Sequence, residues 1–239
     1  MRRPAGLRTR FRLVGRTLLV DLGAVRPVLS SAPRGGGLSH VRFILNHQVP
    51  ANPIGLAPRR SACAWKDPAR YLGRVAAAAG AEGPSVGLMT AVPLAKLVTV
   101  RRRAGSLWVE GLFTVGVSNA VRAGEPPVAS PRVRAAGPGT INMILVTNAR
   151  LAASAMVCAV QVATEAKTAA LLAAKVRSWT GRPGATGTGT DAVVIVSGDG
   201  PSLRYSGTHT ALGALIGQVV ASGVAAGLAR WRAARPRRC

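Results

Sequence analysis

Short apolar runs of strand type alternate with helical stretches along this chain, and that alternation limits the folds open to it. The runs are Leu13–Val20, Val41–Leu45, Lys96–Arg102, Leu107–Val117, Ile141–Val146 and Val193–Val196, with Ala104-Gly105-Ser106 placed to turn one strand antiparallel onto the next. Asp67-Pro68 supplies an N-cap and a first-turn proline for a helix through about Ala79. Asn148 can cap a long helix from Arg150 to about Val176, and a third begins near Thr208. Strands interleaved with helices predict an α/β fold: a single domain whose mixed β-sheet is layered with long Ala/Gly-rich helices, with α+β as the alternative. The chain's 239 residues suffice for one sizeable core. The expected division is a basic N-terminus over 1–10, the folded domain over 11–232 and a basic tail over 233–239.

Apolar residues make up 48% of the chain and aromatic residues only 4%, so alanine, glycine and valine must build the interior and the helices must approach closely. The formal charge of +24, from 32 Lys+Arg against 8 Asp+Glu, would ordinarily suggest a polyanion partner. The arginines, however, are scattered through every segment, with concentrations at Arg2–Arg16, Arg101–Arg103 and Arg230–Arg238. No helix-turn-helix, zinc finger or interleaved aromatic platform accompanies them, so a specific nucleic-acid partner is not expected. Cys63, Cys158 and Cys239 lack metal-ligand spacing, and free thiols fit a reducing, cytoplasmic setting. The stretch Ala211–Ala229 carries no formal charge, yet Gln218, Ser222 and its glycines make a packed core helix the better reading than a membrane span.

Away from the arginines, polar side chains gather in four boxes: Pro138 to Asn142, Thr164 to Lys167, Ala185 to Asp191 and Gly207 to Thr210. In Thr186-Gly187-Thr188-Gly189-Thr190-Asp191, an extended backbone would point three hydroxyls one way while the glycines admit a ligand to the backbone N–H groups. The segment leads into a strand and lacks Gly-Lys-Ser/Thr, which excludes a phosphate-binding P-loop. Within the second helix Ser154, Gln161, Glu165 and Thr168 share one face, either a solvent stripe or a seam that delivers the Glu165 carboxylate to a site. His209 is expected in the first turn of a helix, where the macrodipole favours the neutral imidazole that a general base needs. His40 and His47 form no ligand set with carboxylates or cysteines, and no metal is expected.

Taken in order, Gly87-Leu88-Met89-Thr90-Ala91, Phe113 to Asn119, Ala123-Gly124, Pro138 to Asn142, Thr164 to Lys167, Ala185 to Ala192 and Tyr205 to Gly213 resemble the motif set of the adenosylcobinamide amidohydrolases, the CbiZ-type family, over roughly Ser30 to Ala225. The resemblance implies hydrolysis of the amide joining aminopropanol to the corrin ring of adenosylcobinamide, with the cobalt corrinoid as substrate and no separate cofactor. It also implies a place in corrinoid salvage for cobalamin (vitamin B12) biosynthesis. The arginine-rich ends fall outside the motifs.

Amide hydrolysis needs a nucleophile, a base, donors for the oxyanion and an acid for the leaving amine. Candidates for that chemistry are Thr140, Glu165, Lys167, Asp191 and His209, with Asn142, Thr186, Gly187, Thr188, Gly189, Thr190 and Thr208 as substrate-binding residues. In one arrangement Glu165 or His209 activates water or a threonine hydroxyl and Lys167 assists the amine. In the other, Thr140 becomes a new N-terminus and uses its own amine. A non-catalytic corrinoid-binding or basic nucleic-acid-binding module is the alternative from another class. Ala/Gly-rich helices could pack within one subunit or across a homo-oligomer.

Overall fold

A computed structural model of the protein describes residues 9–50, 66–126 and 139–233; Cys63, Cys239, Pro127, Pro138 and most of both arginine-rich ends lie outside the described residues. The strands are β1 (Arg10–Val14), β2 (Thr17–Ser30), β3 (Gly37–Gln48), β4 (Ser85–Thr90), β5 (Val98–Ala104), β6 (Leu107–Val115), β7 (Ala120–Val121), β8 (Ile141–Thr147), β9 (Arg150–Leu151), β10 (Gly187–Thr188), β11 (Ala192–Val196) and β12 (Ser202–Leu203). The helices are α1 (Pro68–Ala78), α2 (Ala153–Ala173) and α3 (Ala211–Ala233).

The main sheet is mixed, in the order β4-β3-β2-β11-β8-β6-β5 with β1 on β2. β3 and β4 are parallel, as are β8 and β11, and every other neighbouring pair is antiparallel. β2 is long enough to carry β1 on its first half and β11 on its last residues, and its register with β3 shifts between Asp21 and Arg26. The sheet curls. In a flat sheet the three steps from β3 to β8 would span roughly 14 Å, yet Asn142 Nδ2 donates to Asn46 Oδ1 at 2.9 Å. The inside of the curl is filled by Leu18, Val20, Val28, Ile44, Leu88, Leu112, Ile144 and Val194. Outside, α2 and α3 cover β5, β6, β8 and β11, and α1 covers Leu19, Phe43 and Leu45 of β2 and β3.

Small residues set how closely these layers approach. A Cβ on Gly223 of α3 would stand 2.3 Å from the Phe113 ring, and one on Gly227 would stand 2.5 Å from Val115, so α3 lies directly on β6. Both α2 and α3 are long and apolar enough to cross a membrane by length and composition. In this fold their buried faces, Ala155, Ala159 and Ala163 on α2 and Leu212, Val219 and Val220 on α3, belong to the core.

The mixed sheet and, among the described residues, the three α-helices agree with the sequence. α1 starts where expected, with the Asp67 side chain accepting from Arg70 N. Several boundaries differ. Leu13–Val20 is a hairpin rather than one strand, because Gly15 takes φ +55° and turns β1 onto β2. Asn148 does not cap α2, which starts at Ala153 without a side-chain cap. Its amide instead accepts from Trp108 N and donates to the Ser106 carbonyl, both at 2.9 Å, holding the β5–β6 turn. α3 begins at Ala211 rather than near Thr208, with Thr210 Oγ1 accepting from Gly213 N.

Candidate active site

β8 and β11 are parallel neighbours whose first residues lie side by side, Asn142 opposite Ala192. The two polar boxes that immediately precede them, Gly139-Thr140 and Thr188 to Asp191, are therefore brought together at one mouth of the curled sheet. The Asp191 carboxylate accepts from Ile141 N at 2.9 Å, from Thr188 N at 3.0 Å, from the Thr188 hydroxyl and from Lys167 Nζ at 2.6 Å. Lys167 reaches it because α2 leaves the far end of β8 and runs back along the sheet. Its side chain is 9% exposed and that of Asp191 14%, so each charge depends on the other for compensation. Gly187 leaves room for the pair, since a Cβ there would lie 2.5 Å from Asp191 Oδ2 and 2.9 Å from Lys167 Nζ.

Thr140 is 3% exposed. Its hydroxyl donates to the Thr190 carbonyl at 2.8 Å, with Asn142 Oδ1 at 3.3 Å as a second acceptor. The orientation of the Asn142 amide is forced: Nδ2 donates to the Met89 carbonyl at 2.8 Å and to Asn46 Oδ1, which turns Oδ1 toward Thr140. Asn46 is fixed in turn by donating from Nδ2 to Thr114 Oγ1 at 3.0 Å. Asn46, Thr114 and Asn142 are all at most 2% exposed. A fully connected buried network of this kind holds one geometry, because breaking any link leaves a buried polar group unsatisfied.

A cavity of about 240 Å³ opens onto these residues, with Thr140, Thr190, Thr90 and Asn119 among apolar walls from Val49, Pro68, Met89, Ala91 and Ala192. An apolar pocket with a few convergent polar groups is the usual form of a small-ligand site. Two larger hollows, of about 500 and 410 Å³, are lined by Arg10, Arg12, Asp21 and Arg42 and by Arg26, Trp108, Asn148 and Asp199. They include none of the residues of the four boxes, so size does not locate the chemistry here.

The residues singled out in the sequence divide. Thr140, Asn142, Thr188, Thr190, Asp191 and Lys167 converge, although Lys167 and Asp191 stand behind the cavity wall rather than on it. Glu165 does not join them: it is exposed, because two residues along a helix from buried Lys167 is about 200° around the axis. The polar seam with Ser154 and Gln161 is the solvent face of α2. His209 is exposed in the turn before α3 rather than in its first turn, and Thr208 beside it is exposed as well. That turn belongs to the other end of the sheet, where Ser206 Oγ donates to the Ala155 carbonyl. Twelve residues of α2 separate Ala155 from Lys167, roughly 18 Å at the helical rise.

The three threonine hydroxyls of the 186–190 segment do not point one way either. Thr186 accepts from Ala123 N, Thr188 donates to Asp191 and Thr190 donates to the Gly139 carbonyl. Gly189 has open space about it. Among the described residues no three His, Cys, Asp or Glu side chains gather at one point. Asn46 was missed in the sequence, where its signal is a polar residue at the inward position next after Ile44. Thr114 and Asn119 lay within a recognised motif without being assigned a role.

The family model for adenosylcobinamide amidohydrolase matches residues 5–236. A protein of Methanosarcina mazei named adenosylcobinamide amidohydrolase is 33% identical over 205 residues, covering 81% of this chain and 86% of the relative. An uncharacterised protein of Methanocaldococcus jannaschii is 31% identical over 222 residues, covering 86% of this chain and 82% of its own. Among solved structures, the L-aminopeptidase D-Ala-esterase/amidase of Ochrobactrum anthropi, described as a variant of the Ntn hydrolase fold, aligns with a TM-score of 0.43 at 12% identity, over 92% of this chain and 82% of that one. A Pyrococcus horikoshii protein aligns at 0.40 and 11%, over 93% and 82%. By the family match over nearly the whole chain and the curated relatives above 30% identity, the protein belongs to the adenosylcobinamide amidohydrolase family, enzymes that hydrolyse an amide bond.

Proposed function

We propose that this protein hydrolyses the amide linking aminopropanol to the corrin ring of adenosylcobinamide, releasing adenosylcobyric acid and aminopropanol, and so returns a corrinoid to cobalamin synthesis. The observation that carries the reading is the buried Thr140 hydroxyl, held by Thr190 and Asn142 at the floor of a mainly apolar cavity in a chain of this family. At about 240 Å³ the cavity accommodates an amide arm and not a corrin macrocycle, so the arm enters and the ring stays at the rim.

In this reading Thr140 Oγ attacks the amide carbonyl carbon and forms an ester with the cobyric acid moiety, aminopropanol departs with a proton on its nitrogen, and water hydrolyses the ester. The Asn119 carboxamide lines the same cavity, and its buried oxygen has no hydrogen-bond partner among the described residues, which leaves the group free to turn its NH2 onto the developing oxyanion. Lys167 and Asp191 act behind the site by fixing the backbone at Ile141 and Thr188. The test is release of aminopropanol from adenosylcobinamide by the purified protein. Release is expected; binding of the corrinoid without release would overturn the reading and favour a non-catalytic module.

A further inference from the structure

A threonine hydroxyl is a weak nucleophile until a base takes its proton, and the surroundings of Thr140 raise the question of which base that is. Its two hydrogen-bond partners are a backbone carbonyl and a carboxamide oxygen, and neither takes up a proton at neutral pH. The Asp191 carboxylate is already filled by Lys167, Ile141 N and both donors of Thr188, and Lys167 Nζ is held by Asp191. His47 has both ring nitrogens engaged, by the Thr17 hydroxyl and the Tyr71 hydroxyl, each at 2.9 Å. Glu165 and His209 are exposed elsewhere. None of these titratable side chains is hydrogen-bonded to the Thr140 hydroxyl, and Asp67, beside the cavity at Pro68, serves as the cap of α1 by accepting from Arg70 N; the nitrogen of Thr140 itself is tied up as the amide of the Gly139–Thr140 bond.

That bond is gripped on both sides. The Thr190 hydroxyl donates to the Gly139 carbonyl oxygen at 3.3 Å, while the Thr190 carbonyl accepts from the Thr140 hydroxyl. On the other side Gly139 lies against residues 116–119: a Cβ there would be 2.6 Å from Asn119 Oδ1 and 2.8 Å from Gly116 O and from Ser118 N. Gly116 N anchors the Thr140 carbonyl at 2.9 Å. One residue, Thr190, thus holds the nucleophile and polarises the carbonyl carbon immediately before it.

We propose that the chain cleaves itself between Gly139 and Thr140, and that the α-amine released on Thr140 is the base of the amidohydrolase; this rests on Thr140 being the nucleophile of the reaction proposed above. Thr140 Oγ adds to the Gly139 carbonyl carbon, with the Thr190 hydroxyl stabilising the oxyanion. The hydroxyl proton passes to the Thr140 nitrogen and the C–N bond breaks, leaving a Gly139 ester on Oγ and a free amine. Water then hydrolyses the ester to a Gly139 carboxylate and the restored hydroxyl, so one water is consumed per chain. In later turnovers the amine takes the hydroxyl proton and passes it to the departing aminopropanol nitrogen.

The fold keeps both pieces together, because β8 and β11 of the second piece lie between β2 and β6 of the first. Denaturing mass spectrometry of the purified full chain is expected to show two species, ending at Gly139 and starting at Thr140, whose masses sum to the intact chain plus one water. They should co-elute as one body under native conditions. Thr140→Ala should remain whole, Thr140→Ser should still cleave, and Thr190→Ala should slow cleavage about 10²–10³-fold, the loss expected for one oxyanion donor. A wild-type chain that stays whole and releases aminopropanol overturns self-cleavage and leaves the hydrolase reading in place. One that cleaves but releases no aminopropanol keeps self-cleavage and overturns the substrate.

Discussion

Glycine- and threonine-rich segments at the two ends of this protein's main sheet have almost the same composition and opposite fates. At the mouth where β8 and β11 begin, Gly139-Thr140 and Thr188-Gly189-Thr190-Asp191 bring the Thr140 and Thr190 hydroxyls to one small cavity and a carboxylate behind its wall. At the other end, Ser206-Gly207-Thr208-His209-Thr210 ties α3 to α2: Ser206 donates to the Ala155 carbonyl, Thr210 caps the helix, and Gly213 lies so near the Gly207 carbonyl that a Cβ would stand 2.0 Å from it. At the first end the polar groups serve each other across two strands; at the second they satisfy a helix start. Residue type names the chemistry available, and the pairing of strands decides whether it is assembled.

The contrast can be broken by substitution at either end. The largest effect is expected from Asp191→Asn, which strands the buried Lys167 cation; loss of one partner of such a pair costs about 3–5 kcal/mol, readable by urea unfolding, with turnover falling alongside it. Asn119→Ala should leave the fold intact and lower kcat by about 10²–10³ if its amide supports the oxyanion. Wild-type kcat would remove it from the site. Gly213→Ala at the far end should do the reverse, lowering stability by about 1–3 kcal/mol through overpacking while the folded fraction turns over normally.

The smallest effect concerns pH. Burial, with a lesser push from Arg16, lowers the His47 pKa, so the folded protein favours the neutral ring. Stability from this group is fully present above the unfolded value of about 6.5 and is lost as pH falls through the lower folded value. His47→Gln should flatten the fall of unfolding free energy that the wild type shows as pH drops below about 6.5. The carboxylates Asp21, Asp199 and Glu125, with their pKa values lowered, add their losses only at still lower pH.

The sequence carried the strand and helix alternation, the start of α1 and the β5–β6 hairpin, because those signals are local: an Asp-Pro cap and a glycine turn act within a few residues. It carried Thr140, Asn142 and Asp191 through their boxes. It did not carry the curl of the sheet, on which the site depends, because the Asn46–Asn142 and Asn46–Thr114 bonds join residues far apart in the chain. Nor could composition separate Lys167 from Glu165, two residues apart in one helix, since only packing shows that the first faces the sheet and the second faces water. Thr186 to Asp191 misled in the same way: alternation suggested one extended row of hydroxyls, but β10 covers only Gly187–Thr188, and the carboxylate of Asp191 turns back onto Thr188.

The central claim is that hydrolysis takes place at the mouth around Thr140 and not at the histidine end of the sheet. The most direct measurement compares aminopropanol release by Thr140→Ala with that by His209→Ala, both with the circular dichroism spectrum of the wild type. A loss of at least about 10³-fold is expected for Thr140→Ala, as for removal of a nucleophile, with wild-type release for His209→Ala; the reverse pattern would place hydrolysis at the histidine end instead.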